Sequence, residues 1–428
     1  MRGTGPSVRA NCLLVALAFC GSTEAQDLTV GGDARLYLRS TTGTSGGPLL
    51  SARQFDGDGS LLERGGGFSD GMLRLASSHA VFSVSGTVDR ASHKGGRSSV
   101  RTGRVLEGYL TGDVGELKVF AGKRVVSWDV GYGFRPNDVV QSEDRHALIA
   151  PRLEGQVMVA VDWYGERSSA TVLTARQRDT GALPSMDLYP EGIVAGRGYW
   201  NVDGNDLYLF LKAGRLSRIS TGIAAVTVPS ESTSLYGSVR YLERRRATMF
   251  ASGLATGVGE LASSNPVMVA SAGSAWQSMI GATWTSPERL SLIAEVWWDG
   301  LAPGATFWRD WQARNAQLLA LGGLGGQAGP VAAYAGNLRW QATALEQRSL
   351  WRRNLLLRAA KKFGDLEVSA EALAWLNGGG GMLTVGASQD LDRASLEVRW
   401  RQYLGPQSGL AGQLGGAGKL EAGVKVAF

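Results

Sequence analysis

Apolar and polar residues alternate along most of this chain with a period of two. Ala34 to Arg39 sets Ala34, Leu36 and Leu38 against Arg35, Tyr37 and Arg39, and Glu116 to Val125 sets Leu117, Val119 and Ala121 against Lys118, Phe120 and Arg124. Arg393 to Tyr403 sets Ala394, Leu396, Val398 and Trp400 against Glu397, Arg399 and Arg401. Such a period places each set on one face of a β-strand. Seventeen segments read this way, from 28–39 to 419–428, with 168–176, 206–213, 218–228 and 233–243 among them. A water-soluble sandwich alternates in the same manner, so the pattern alone leaves the architecture open.

Composition narrows the choice. Of 428 residues, 60 are Gly, 13 are Trp, 44% are hydrophobic and 19% are charged. That is too apolar and too poor in charge for a disordered chain, and the scarcity of long helical periods argues for one large all-β body. Residues 1–25 read as a secretory signal peptide: Arg2 and Arg9 precede the short apolar run Cys12 to Cys20, and Thr23-Glu24-Ala25 ends in a small residue. Loss of Arg2, Arg9 and Glu24 with this leader takes the formal charge from +6 to about +5. Both cysteines leave with it, so residues 26–428 are expected to form a single domain without disulfides or Cys-based metal sites. No later segment has 18 uninterrupted apolar residues, which excludes a helical membrane protein.

The last ten residues, KLEAGVKVAF, place Leu420, Ala422, Val424, Val426 and the terminal Phe428 on one face. This segment closely resembles the last-strand signal of Gram-negative outer-membrane β-barrels, which ends in an aromatic residue. The resemblance implies a closed antiparallel transmembrane β-barrel with long external loops and short periplasmic turns. Bacterial barrels of this kind have even strand numbers, so about 18 strands are expected, with 16 as the alternative, and the eighteenth is expected at 247–258, where the alternation of short and long connections fails. Turns near 113–115, 165–166, 214–215, 287–288, 363–364 and 391 then share the side of both termini, and loops at 40–70, 127–154, 177–205, 259–275, 299–349 and 404–418 lie opposite. A short helix is expected at 307–321 within the longest loop, and an aromatic girdle from Trp128, Trp163, Trp276, Trp284, Trp297 and Trp298, with Trp375, Trp400 and Tyr403.

About 18 strands enclose an aqueous channel, and the patterning starts too near residue 26 to leave room for a plug domain. The stretch GKRVVSWDVGYGFRPNDVV resembles a G-R-x-x-x-x-W-G-x-x-x-x-x-P-x-D run of porin-like and alginate-export-like barrels, with Asp129 where those often have Gly. In porins the third external loop folds into the lumen. The resemblance therefore makes 127–154 the candidate constriction loop, with Asp129, Arg135, Asp138, Arg145 and Arg152 as its charged residues. On the inward faces, Arg35, Arg39, Arg74, Arg399, Arg401 and Lys425 form a candidate basic arc. Glu295, Asp365, Glu367 and Glu371 form an acidic one, with Arg352 and Arg358 between them. Opposed arcs set up a transverse field and an ion preference; alternatively these residues pair and only solvate the lumen.

Catalytic chemistry finds no foothold. Gly67-Phe68-Ser69-Asp70-Gly71 matches a nucleophile elbow in spelling, but a strand and not a helix follows it. His79, His93 and His146 have no ligand partner at metal spacing, and Gly415 to Lys419 lacks the residues of a phosphate loop. Basic residues are dispersed along strands, which argues against nucleic acid despite the positive charge. The expected function is passive diffusion of ions or small hydrophilic, anionic solutes, without enzyme activity, metal or cofactor. The expected partners are outer-membrane lipid and the barrel-assembly machinery. Two other readings are an exporter of an acidic exopolysaccharide working with a periplasmic partner, and a surface barrel acting as an adhesin or structural element.

Overall fold

The computed structural model describes residues 28–42, 47–48, 51–52, 65–93, 96–141, 147–177, 190–250, 266–323, 331–347, 349–414 and 418–428. The leader at 1–25, Arg145 and His146 lie outside the described residues. Among the described residues there are twenty strands. They begin with β1 (Thr29–Thr42), β2 (Gly65–Ala76), β3 (Ala80–His93), β4 (Gly96–Val114), β5 (Leu117–Arg124), β6 (Gln156–Tyr164) and β7 (Ser168–Gln177). They continue with β8 (Glu191–Val202), β9 (Asn205–Gly214), β10 (Arg218–Ser230), β11 (Thr233–Leu242), β12 (Arg245–Phe250), β13 (Val267–Ala272) and β14 (Ala275–Thr285). The last six are β15 (Leu290–Asp299), β16 (Arg353–Phe363), β17 (Leu366–Trp375), β18 (Gly380–Leu391), β19 (Ala394–Leu404) and β20 (Gly418–Ala427).

Eighteen of these form one closed antiparallel sheet, and β12 with β13 forms a separate hairpin outside it. Closure comes from β1, which pairs with β2 on one side and β20 on the other, so that Arg35 lies opposite both Asp70 and Lys425. A closed ladder leaves no strand edge to satisfy. Phe428 completes the seam: its amide and carbonyl bond those of Gly32 at 3.0 and 2.9 Å, and its ring lies where a Gly32 side chain would stand.

The alternation read from sequence survives as an inside and an outside. On β1 the apolar Ala34, Leu36 and Leu38 are exposed and outward, while Asp33 and Tyr37 are buried within. Outward Trp163, Trp200, Trp284 and Phe363 ring the end that carries both termini, and Trp276 and Trp298 stand at the other. Trp128, Trp297 and Trp375 are not part of a girdle; they are buried inside the barrel. Each lies near a strand end, as a girdle residue would, but its parity or loop position turns it inward.

The strand number of eighteen stands, but its membership differs from expectation in one place. The segment 247–258 is not a barrel strand: its described part belongs to β12, which pairs only with β13. The missing strand is β8, inside the stretch read as a loop at 177–205. It joins β9 by a two-residue turn in which Asp203 and Gly204 both take positive φ, 50° and 81°. Consequently the turn at 214–215 lies at the outer end, opposite the termini. The longest loop carries two helices, α1 (Ala305–Gly323) and α2 (Val331–Ala342). Trp308, Trp311, Ala344 and Leu350 of that loop join Leu410 and Ala411 in a core over the inner faces of β15–β18.

The seam fixes one expected outcome. A side chain on Gly32 meets the Met72 carbonyl oxygen at 2.4 Å and the Phe428 ring at 2.7 Å, whereas one on Gly112 meets nothing. Gly32→Val is expected to destabilise the barrel by about 2–3 kcal/mol and Gly112→Ala by less than about 0.5. Urea unfolding of the refolded protein in micelles, followed by tryptophan fluorescence, measures both.

Candidate functional site

An eighteen-stranded wall cannot fill its own interior with side chains. Here the described parts of the connection from β5 to β6, residues 125–141 and 147–155, lie within it. Its first half closes on itself. The Asp138 carboxylate accepts the backbone N–H of Trp128 at 2.6 Å and of Asp129 at 3.2 Å, with the Ser127 hydroxyl at 3.3 Å. Asp129 in turn accepts the Asn137 amide at 2.5 Å and the Ser238 hydroxyl of β11 at 2.8 Å. Arg135 bonds the Gly131 carbonyl at 2.6 Å and the Ser127 hydroxyl at 2.8 Å, 3.8 Å from Asp138.

The wall then receives this folded unit. The Asn137 side-chain amide donates to the Ser238 hydroxyl at 2.8 Å and reaches the Ile223 and Val239 carbonyls at 3.3 Å. Glu295 on β15 is fully buried and accepts the backbone N–H of Tyr132 at 2.5 Å and of Gly133 at 2.7 Å, and the Tyr236 hydroxyl at 2.9 Å. The Tyr132 hydroxyl donates to Glu371 on β17 at 3.2 Å, and Arg358 on β16 lies 5.6 Å from the Tyr132 ring. Phe134 stacks on Trp297 at 5.5 Å. Trp128, Val139 and Val140 pack against Phe120, Met158, Leu173, Ile193 and Phe210, sealing the loop onto the β5–β10 side.

The second half crosses to the opposite wall. Arg399 on β19 donates to the Leu148 carbonyl at 3.1 Å, and Arg35 on β1 to the Ala150 carbonyl at 3.3 Å. Arg152 is clamped between Asp33 and Asp70, with one bond to Asp33 at 3.0 Å. The loop is thus tied to β1, β2, β10, β11, β15, β17 and β19, and spans the lumen. Beside it lies a cavity of about 810 Å³. Arg35, Arg358, Arg399 and Arg401 line it on the wall, and Tyr132, Arg135, Asp138 and Ala150 on the loop. Toward the outer end it meets Lys212, Arg240, Arg244, Arg245, Arg246 and Asp299. Basic side chains on this lining number ten and acidic ones four.

The six residues of the basic arc lie on four neighbouring strands, β19, β20, β1 and β2, all at inward positions. Acids are interleaved among them. Arg35 lies 3.5 Å from Asp70, Arg39 pairs with Asp89 at 2.6 Å and Arg399 touches Glu397. Arg401 is buried and donates to Thr384 at 2.9 Å, while Arg74 is exposed toward the inner end. Of the acidic arc, Glu367 pairs with Arg358 at 3.1 Å, and Glu295 and Glu371 hold the loop. Asp365 is not on the wall. Gly364, at φ 63°, opens a two-residue turn, and Asp365 is exposed at its tip. Asn137, Ser238, Asp33 and Asp70 escaped the sequence reading because nothing local marks them; the fold joins residues some 80 to 120 positions apart.

Burial pushes the Asp129 carboxyl above the ordinary carboxylate range and Asp138 up to about 6, against the pull of the amides that bond them and of Arg135. With the folded value of Asp138 above its ordinary 3.8, the proton binds more tightly in the fold. Its stabilising contribution is therefore complete below about pH 3.8 and is lost as the pH rises through 6. Between pH 8 and pH 5 the wild type is expected to gain about 1 kcal/mol more stability than Asp138→Asn, which keeps the acceptor oxygen; urea midpoints at the two pH values measure the difference. Glu295→Ala leaves three buried donors without an acceptor, costing roughly 1–3 kcal/mol each. Faster proteolytic cleavage within 127–154 is its expected signature.

A closed barrel of eighteen antiparallel strands, crossed by an infolded loop, is the fold class of Gram-negative outer-membrane porins. No protein-family model matches this chain, and no curated protein does. Solved structures do share the fold. OccAB1 of Acinetobacter baumannii superposes with a TM-score of 0.55 at 9% identity, over 94% of this chain and 96% of that one. OccAB3 of the same organism gives 0.52 at 8% identity over 94% and 99%. OccK5 of Pseudomonas aeruginosa gives 0.50 at 10% identity over 94% and 98%.

Proposed function

We propose that this protein is an outer-membrane channel through which small hydrophilic solutes diffuse passively, with anions preferred. The observation that carries this reading is the cavity beside the infolded loop, where basic side chains exceed acidic ones by ten to four. A loop anchored on both walls narrows the lumen without filling it, and a low-dielectric wall focuses the field of the excess cations into what remains. Solutes then pass off-axis, along β16–β19 and β1, because the β5–β10 side is sealed by Trp128, Val139 and Val140. The polar faces there, Ser369 and Thr384 with Arg358 and Arg399, offer hydrogen bonds to a carboxylate, a phosphate or a hydroxyl-rich solute.

Single-channel conductance in a planar bilayer, with the reversal potential taken in a salt gradient, tests the proposal. Steady conductance and a reversal potential of the anion-selective sign are expected. Arg399 is 45% exposed at its side chain, so its charge acts on the open path, and Arg399→Glu is expected to lower the anion-to-cation permeability ratio about two- to threefold. A folded barrel that passes no current would remove the open-channel reading and leave an exporter that needs its periplasmic partner, or a surface barrel.

A further inference from the structure

The outward faces of the described barrel strands carry charge of one sign. Among the described barrel strands, every Asp and Glu falls on an inward position, and the outward charges are cations. Lys123 on β5, Arg176 on β7, and Arg353 and Lys361 at opposite ends of β16 stand apart from one another, and Lys123 and Lys361 meet Glu154 and Glu288 of the connecting segments. Arg90, Arg97 and Arg101 stand together. On the outward face of β3 and β4, Arg90 lies opposite Ser99, and Ser92 and Val88 lie opposite Arg97 and Arg101. Arg90 thus sits diagonally between the other two, at the separation of about 7–8 Å that such positions have. All three are exposed, and none has a hydrogen-bond or ion-pair partner among the described residues.

Their height on the wall matters as much as their charge. A tilted strand crosses the apolar layer in about 9–11 residues. Arg101 stands 13 residues from Val114 at the inner end of β4, and Arg90 is the eleventh residue of β3 counted from its inner end. Both lie at the outer boundary of the apolar layer, where lipid headgroups begin. One pleat step below Arg101 runs a row without side chains: Gly71, Gly86 and Gly103 pair laterally across β2, β3 and β4, with Ala34 of β1 continuing it. A Cβ on any of these three glycines would meet no atom within 4 Å. An apolar cleft of about 290 Å³ occupies this row, bounded by Ala34, Gly71, Leu73, Val84, Gly86 and the Phe428 ring.

We propose that this face binds a phosphate-bearing lipid of the outer leaflet, its headgroup phosphates on Arg90, Arg97 and Arg101 and an acyl chain in the glycine trench. Three adjacent guanidiniums without an anion repel one another, and planar guanidiniums match phosphate oxygens in paired hydrogen bonds. The trench supplies the second half of the ligand, since side-chain-free backbone lets a hydrocarbon chain lie against the sheet. A second copy of this chain fits the charge poorly, because symmetric pairing would bring cations to cations. The inference rests on the outer-membrane reading but not on conduction through the lumen.

Purified protein in detergent micelles, titrated with lipid A carrying two phosphates and with the same lipid stripped of them, tests it by native mass spectrometry. The phosphorylated form is expected to be retained about tenfold better or more. The triple variant Arg90→Gln, Arg97→Gln, Arg101→Gln is expected to lose that preference, and Arg101→Gln alone to lose part of it. Gly86→Phe, which places a ring in open space, is expected to weaken retention of both lipids. Heat-modifiable mobility on gels verifies folding, and unchanged conductance of the arginine variants separates this face from the channel. Equal retention by wild type and triple variant overturns the proposal. So does conversion of an oligomer to a monomer by Gly86→Phe in analytical ultracentrifugation, which would make the trench an interface between copies.

Discussion

Bringing an irregular loop inside a barrel requires that each of its backbone polar groups find a partner there, and the rest of this architecture depends on how that is met. A barrel of eighteen strands satisfies its own backbone completely but encloses more space than its side chains can fill. The loop at 125–155 enters that space carrying amides and carbonyls that leave the strand ladder. Carboxylates answer the amides: Asp138 within the loop, Asp129 at its contact with β11, and Glu295 from β15. Arginines answer the carbonyls, with Arg35 and Arg399 bonding Ala150 and Leu148. A buried donor without an acceptor costs roughly 1–3 kcal/mol, so this exchange decides whether the loop stays in place.

The two halves of the loop meet different walls, and the difference shapes the lumen. Trp128, Val139 and Val140 lie against an apolar inner face on β5–β10, where Leu173, Ile193 and Phe210 occupy positions that a water-filled pore would give to polar residues. That wall therefore excludes solvent. The opposite wall carries charged and hydroxyl side chains at the same inward positions, and the loop meets it through hydrogen bonds and the ion pairs of Arg152. Between them they leave an eccentric cavity with a polar wall on one side. The helical loop of α1 and α2 extends the same apolar seal toward the outer end over β15–β18.

Alternation was legible wherever side chains were large, because period two is a direct image of the two faces of a strand. It failed at β8, whose outward positions include Gly192, Gly196 and Gly198 and so show no hydrophobic stripe. The Asp203-Gly204 turn that follows was the available signal, since that dipeptide supplies the two positive φ values of a tight hairpin. The β12 segment misled for the opposite reason. It alternates and forms a strand, but nothing in a local pattern says which sheet a strand joins. The loop was legible in position and in residue type, through its resemblance to porin-like barrels. Its anchoring was not, because Asn137 with Ser238, and Arg152 with Asp33 and Asp70, are pairs that only closure of the barrel brings together.

Pairing of charges within the lumen does not remove their effect on a passing ion. Arg35 with Asp70 and Arg39 with Asp89 are neutral pairs at a distance, yet each leaves a local dipole fixed by the strand register. What acts over the length of a constriction is whatever charge such pairing leaves unbalanced. Screening by salt weakens interactions beyond about 8–10 Å at physiological ionic strength, so the dipoles act at close approach and the net charge acts at the mouth. The acids that hold the loop, Asp129 and Glu295, add little to either. They are spent on backbone donors.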